Sequence, residues 1–176
     1  MKKLLLHVCC APCSTHVIET LKKDYNLTLF FYNPNIEPID EYEKRLESTE
    51  RYAKELKLPL IVGDYDNLEW HNAVKGHEDD KEGGERCSIC FKYRLKKTTQ
   101  LAKEKNFDLF TTTLTISPFK NAEMINKIGN ELKEKHNIEF LKSNFKKQNG
   151  YLYSIELSKK YNLYRQHYCG CLYSKK

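Results

Sequence analysis

The stretch KLLLHVCCAPCSTHVIETL, residues 3–21, decides how the whole chain reads. Lys3 to Val8 is apolar almost throughout, the pattern of a strand buried on both faces. From Ser14 the spacing turns helical, with Val17, Ile18 and Leu21 on one face and Ser14 or Thr15 placed to cap the helix. Strand, turn and helix form the opening unit of a parallel α/β fold, and the turn carries Cys9, Cys10 and Cys13.

The alternation continues outward from this unit. Leu27 to Tyr32 is a second apolar run, NPNIEP is loop chemistry with Pro38 suited to a helix's first turn, and Ile39 to Leu58 reads as a long charged helix. Leu60 to Val62 gives a third strand. Asp64 to Arg86 holds a short helical stretch, DNLEWHNAVK, and an acidic, Gly-containing loop that ends at Cys87. Ser88 to Asn106 is helical, Phe107 to Thr113 β-rich, Asn121 to His136 helical, Ile138 to Leu141 a fifth strand and Tyr151 to Tyr161 a last helix. RQHYCGC closes the chain as a tail too short and polar to fold except around something. The pattern predicts an α/β fold, a doubly wound, mainly parallel sheet of about five strands with a cysteine-containing C-terminal tail. Residues 1–176 read as a single metal-binding catalytic domain, without internal repeat, linker or low-complexity segment.

In such sheets ligands bind at the C-terminal ends of the strands, where Cys9 to Cys13 lie. CCAPCS contains no glycine, and phosphate-binding loops need glycine for close backbone approach, so nucleotide binding at this turn is not expected. All seven cysteines fall in three groups: Cys9, Cys10 and Cys13; Cys87 and Cys90; Cys169 and Cys171. Disulfide frameworks spread their cysteines, whereas metal sites group them so that neighbouring thiolates reach one centre. No run approaches membrane-spanning length, and the apolar opening is too short for a secretory segment, which together predict a reducing, cytoplasmic location with no membrane partner. The net charge of +6 is uneven: residues 120–176 hold twelve Lys/Arg against five Asp/Glu, and the rest hold eighteen against nineteen. A basic C-terminal third suits a polyanion such as RNA.

Two cysteine pairs supply the minimum set for a four-thiolate zinc site or a cubane iron-sulfur cluster, and the spacing does not choose between them. A closed zinc site would leave three thiols on the first loop without a structural task. These surplus thiols suggest a second metal, or a redox dithiol of Cys10 and Cys13.

HVCCAPCS after an apolar strand, ERCSICFKYRL, TTTLTISPFKN and the closing YRQHYCGC run in order over nearly the whole chain. Together they resemble the cobalamin-independent epoxyqueuosine reductase (QueH) family. The resemblance implies a fold of the nucleotide-alpha-hydrolase type and reduction of epoxyqueuosine to queuosine in the anticodon of tRNA, the last step of queuosine biosynthesis. It also implies a 4Fe-4S cluster on Cys87, Cys90, Cys169 and Cys171, and a second, mononuclear iron on the catalytic pair Cys9 and Cys10. Where some members carry an aspartate as third ligand, this chain has Cys13, whose softer thiolate leaves two destinations open, the second iron or the cluster. The chain shows no GxGxxG, so an external electron donor is implied. The rival readings are an iron-sulfur tRNA-thiolating enzyme, which should carry a glycine-rich ATP loop after the first strand, a zinc-stabilised RNA-binding module, and a thiol oxidoreductase without iron.

Among other polar residues, His167 is the candidate proton donor, and His7 reads as packing or support of a metal ligand. A modified base must leave the anticodon stack to reach a metal, which favours aromatic stacking and phosphate contacts. Ser117, Phe119 and Lys120, at the end of a strand, are candidate substrate contacts. Arg165, Lys146 and Lys147 are candidate phosphate contacts.

Overall fold

Strand β1 (Lys2–Val8) is the centre of a five-stranded, all-parallel sheet in a computed structural model that describes residues 1–175. The order is β3-β2-β1-β4-β5, with β2 at Tyr25–Phe31, β3 at Leu60–Val62, β4 at Leu109–Thr112 and β5 at Glu139–Phe140. Leu4 pairs with Leu27 on one side and Leu109 on the other. Because β1 is covered on both faces, its alternation sends apolar groups both ways. Leu4, Leu6 and Val8 pack with Val17, Ile18 and Leu21 of α1 (Ala11–Leu21) and with Tyr52 and Ala53 of α2 (Ile39–Glu55). Leu5 packs on the opposite face with Phe91 and Leu95 of α4 (Glu85–Glu104) and Ile125, Ile128 and Leu132 of α5 (Ala122–His136). Each such fully buried leucine contributes roughly 1.5–3 kcal/mol. The short helix α3 (Asn67–Val74) precedes α4, and α6 (Gly150–Lys160) lies against α1.

The chain builds β1, β2 and β3 outward to one edge, then crosses back to place β4 on the other side of β1. That reversal opens a crevice between the C-terminal ends of β1 and β4, the place where ligands bind in open α/β sheets. The loop with Cys9 and Cys10 leaves β1 there, and the 3₁₀ turn Leu114–Ile116 and Ser117 leave β4 beside it.

Two helices start earlier than the periodicity predicts, with consequences for the cysteines. Helix α1 begins at Ala11, with extended Cys10 at the cap position and a proline in the first turn. Ser14 Oγ and Thr15 Oγ1 instead donate to the carbonyls of Ala11 and Pro12, at 2.7 and 2.9 Å, so neither caps the helix. Helix α4 begins at Glu85 after extended Gly84, which puts Cys87 in its first turn and Cys90 one turn on, on the same face. The expected end of α2 at Leu58 is corrected to Glu55: Lys57 takes a left-handed φ of 56°, Leu58 N–H bonds to Ala53 O, and Pro59 cannot continue the helix.

His7 lies in the core, fully buried, with Nε2–H donating to Tyr32 O at 3.0 Å and Nδ1 accepting from Thr112 Oγ1 at 2.9 Å. Burial, reinforced by the charge of Arg94, lowers its pKa to about 4, so the ring is neutral and ties β1 to β2 and β4.

Candidate metal centre

The three thiols after β1 form an open set. Cys9, Cys10 and Cys13 bring their Sγ atoms within 4.8 Å of one another, and Cys9 Sγ lies 3.9 Å from Cys10 Sγ. Two sulfurs on one tetrahedral ion at about 2.3 Å are separated by roughly 3.8 Å, so this spacing suits a shared metal; all seven cysteines are free thiols. The first turn of α1 adds a partial positive charge at the set. Hydrogen bonds from Cys10 and Cys13 hold the Cys9 thiol well below its usual range against the effect of burial, and Lys120 adds to the lowering. Burial pushes Cys10 up to about 12, and Cys13 is raised by its hydrogen bonds to Cys10 and Cys9. The trio thus ionises first at Cys9, with Thr113 Oγ1 3.5 Å from its sulfur and 3.3 Å from its backbone N–H.

The other four thiols line a second, smaller cavity. Cys87 and Cys90 from α4 and Cys169 and Cys171 from the tail line one small cavity together with Trp70, Arg86 and Arg94. Cys90 and Cys171 are buried, and burial raises the thiols of Cys87 and of Cys90, the latter to about 11. The groups around them ask for negative charge. Trp70 Nε1, Nε and Nη2 of Arg86, and Nε and Nη2 of Arg94 are buried donors with no hydrogen-bond partner among the described residues. Unpaired buried donors, cationic ones above all, cost several kcal/mol unless an anion faces them. Four thiolates around an anionic cluster fit that requirement, and four neutral thiols do not.

Arg94 and Cys169, with Glu82 and Ser174, line both this cavity and an open cleft of about 470 Å³. The cleft also contains Cys9, Cys13, Ser117, Phe119, Lys120, Gln166 and His167. Of the expected substrate contacts, Ser117, Phe119 and Lys120 therefore meet at the trio of thiols, with Phe119 78 % exposed. Arg165 is exposed and does not line the cleft. Lys146 donates to Lys120 O at 3.2 Å, whereas Lys147 lines a separate groove beside α5. Burial opposes charge on Lys120, but Cys169, Cys9 and Cys13 outweigh it and hold the ammonium protonated. Gln166 reaches from the tail to donate its Nε2–H to Cys10 Sγ at 2.9 Å.

The tail is docked by a residue the periodicity does not single out. Arg45 of α2, 2 % exposed, donates Nη1–H to Cys169 O at 2.8 Å and Nη2–H to Tyr168 O at 3.0 Å, and stacks on the Tyr168 ring at 5.2 Å. Its Nε bonds Glu41 Oε1 at 2.9 Å, and Glu41 Oε2 accepts from Tyr164 at 2.7 Å. Glu37 N–H adds a bond to Gly170 O at 2.9 Å, and Tyr168 donates to Glu37 O. Gly170, at φ 140°, is needed there: a Cβ would sit 3.0 Å from Ile36 and 3.1 Å from the Arg45 guanidinium. The sequence offers Arg45 only as an i+4 partner of Glu41; nothing in it says that this face meets the tail. Arg45→Ala leaves Glu41 and two carbonyls without their partner, a loss of about 3–5 kcal/mol. The expected result is a melting temperature lower by about 6–20 °C together with poorer metal loading, checked by thermal denaturation and metal analysis.

Comparison with known proteins places these features in a family. Residues 4–176 match the family model described as epoxyqueuosine reductase QueH. The epoxyqueuosine reductase QueH of Streptococcus pyogenes serotype M1 is 44 % identical over 179 residues, covering 98 % of this chain and 70 % of that protein. That of Thermotoga maritima is 41 % identical over 177 residues, covering 99 % and 91 %. Among solved structures, the U34-tRNA thiolase NcsA from Methanococcus maripaludis, with its [4Fe-4S] cluster, superposes with a TM-score of 0.63 at 16 % identity, over 99 % of this chain and 62 % of that one. A predicted subunit of tRNA methyltransferase from Methanocaldococcus jannaschii gives 0.62 at 17 % identity, over 90 % and 75 %. At such identities the two structures establish the shared fold.

Proposed function

The chain belongs to the epoxyqueuosine reductase QueH family, and from that membership we propose that it reduces epoxyqueuosine to queuosine in tRNA. The observation that supports this most is the division of seven free thiols into four that line one small cavity and three that lie together after β1, with Arg94, Cys169, Glu82 and Ser174 lining both that cavity and the cleft of Cys9 and Cys13. In this reading Cys87, Cys90, Cys169 and Cys171 hold a 4Fe-4S cluster, while Cys9, Cys10 and Cys13 hold a second iron. Cys13 belongs to the open set because its sulfur lies with those of Cys9 and Cys10.

Removing the epoxide oxygen as water, with a carbon–carbon double bond left behind, takes two electrons and two protons from outside the substrate. When bound, the cluster supplies one-electron transfer and the second iron supplies Lewis acidity toward the oxygen. The chain's own residues do the rest. Lys120 keeps a positive charge beside Cys9 and Cys13, where negative charge develops on the departing oxygen. His167, exposed at the cleft, carries a proton from solvent. Phe119 offers a flat, exposed face for an unstacked anticodon base, and Ser117 a hydroxyl beside it. Lys146 and the exposed Arg165 suit the phosphates of the loop. An external donor supplies the electrons, and the unpaired thiols suit a reducing, cytoplasmic setting. Among the described residues no helix is long and apolar enough to cross a membrane.

A zinc-stabilised RNA-binding module would leave the open thiol set in the cleft without a task, and an ATP-dependent thiolating enzyme would need glycine where CCAPCS stands. The deciding measurement is iron and acid-labile sulfide per chain on protein purified without oxygen, with spectra before and after dithionite, followed by turnover on tRNA carrying epoxyqueuosine. About four sulfides and four to five irons, with conversion to queuosine, are expected. Zinc near one per chain with no sulfide, after failed iron and sulfide reconstitution, overturns the reading.

A further inference from the structure

Two buried arginines, Arg86 and Arg94, have no task in the proposed reaction, and of the two only Arg94 also lines the open cleft. Its residue is 2 % exposed, and its guanidinium makes a single hydrogen bond, Nη1–H to Asn33 Oδ1 at 3.2 Å. Asn33 is held in turn, its Nδ2–H donating to Val8 O at 2.9 Å, so Arg94 is tied to the end of β1 just before the open thiols. Nε and Nη2 have no partner among the described residues. No carboxylate forms an ion pair with it among these residues. A lone guanidinium at this depth costs several kcal/mol, and the fold accepts that cost on the wall common to both cavities, where the exposed Glu82 also stands but forms no ion pair with it among the described residues.

We propose that Arg94 is a counter-charge placed between the two thiol sets, a positioning residue that favours the reduced state of the cluster. The inference rests on the cluster assignment above. A cubane held by four thiolates carries a net charge near −2 when oxidised and −3 when reduced. A fixed positive charge at its edge therefore stabilises the reduced form more and raises the midpoint potential. Cys9 and Arg94 line the same cleft, so the guanidinium stands between the cluster cavity and the open thiols. Burial opposes charge on Arg94, but Cys90, Cys169, Cys9 and Cys87 outweigh it and keep the guanidinium protonated.

The test is a redox titration of anaerobically reconstituted holoprotein, wild type against Arg94→Gln and Arg94→Lys, following the cluster by absorbance and electron paramagnetic resonance. Arg94→Gln is expected to give a reduced-to-oxidised ratio at least tenfold lower at the same applied potential, equivalent to a midpoint about 59 mV more negative. Arg94→Lys, which keeps the charge, should recover most of that shift. An unchanged midpoint in fully loaded Arg94→Gln overturns the proposal. If Arg94→Gln loads no cluster, the melting of Arg94→Met before and after reconstitution decides. A metal-free variant as stable as the wild type, combined with lost stabilisation on reconstitution, supports the counter-charge role. Equal destabilisation in both states overturns it, because a packing role does not distinguish them. Absence of sulfide from the wild-type protein itself would instead remove the cluster assignment, a different failure from a variant whose midpoint does not move.

Discussion

A chain ending at His167 is expected to carry no iron-sulfur cluster: acid-labile sulfide falls from about four per chain to near zero on anaerobic reconstitution. The truncation removes Cys169 and Cys171, two of the four thiolates that line the closed cavity. Cys87 and Cys90, on one face of α4, cannot enclose a cubane alone. The loss has a second component, since Arg45 loses the carbonyls of Tyr168 and Cys169 that it holds. The double substitution Cys169→Ser with Cys171→Ser separates the two effects. It keeps those backbone acceptors and the docked tail, so sulfide lost in that variant is lost through the ligands. A full cubane in the truncated protein sinks the assignment of the tail cysteines.

The second large effect is on turnover rather than cluster content. Cys9→Ser or Cys10→Ser is expected to retain most of the cubane absorbance and to lower conversion of epoxyqueuosine tRNA by roughly 10³-fold. The physical basis is the separation of the two sets. Cys9 faces the open cleft with Ser117, Phe119 and Lys120, while Cys87, Cys90 and Cys171 do not line that cleft and meet Cys169 in the cavity beside Trp70. Serine keeps the backbone of the turn but replaces a soft, easily ionised donor with a hydroxyl that stays neutral, so Lewis acidity worth several kcal/mol is lost. Nucleoside analysis of tRNA after a fixed reaction time reads the effect. Full conversion by the Cys9→Ser protein would falsify a catalytic metal on the open thiols. Loss of cubane absorbance in the same variant would show that the partition of the seven thiols is wrong.

How much of this was legible beforehand differs from element to element. The β1 span agrees with the apolar run Lys3 to Val8 to within a residue, because a central strand buried on both faces is an apolar run, and the half-buried edge strand β3 coincides with Leu60 to Val62. The periodicity places the starts of α1 and α4 three residues late, because the first turns, Ala11 to Cys13 and Glu85 to Cys87, hold proline, cysteine and charged residues rather than a repeating apolar face. His7 behaved as packing, since its strand position leaves no route to solvent. Phe119 and Lys120 were found from their place at the end of a strand, and they meet in the cleft. Arg165 was chosen for charge alone, and charge does not say which way a tail residue points; it lies outside the cleft lining.

By itself, the sequence determined the layered α/β class and the grouping of the cysteines, because hydrophobic period and residue spacing are local properties of a chain, and its four ordered motif blocks carried the family resemblance. Only the tertiary structure shows which thiols lie together. Cys13 joins Cys9 and Cys10, and Cys169 and Cys171 join residues about 80 positions away in sequence. It alone revealed Arg45 as the anchor of the tail and Arg94 as the cation between the two sets. The reason is physical: the cost of a buried charge and the reach of a side chain depend on what the fold brings within a few ångströms, and no local pattern encodes that.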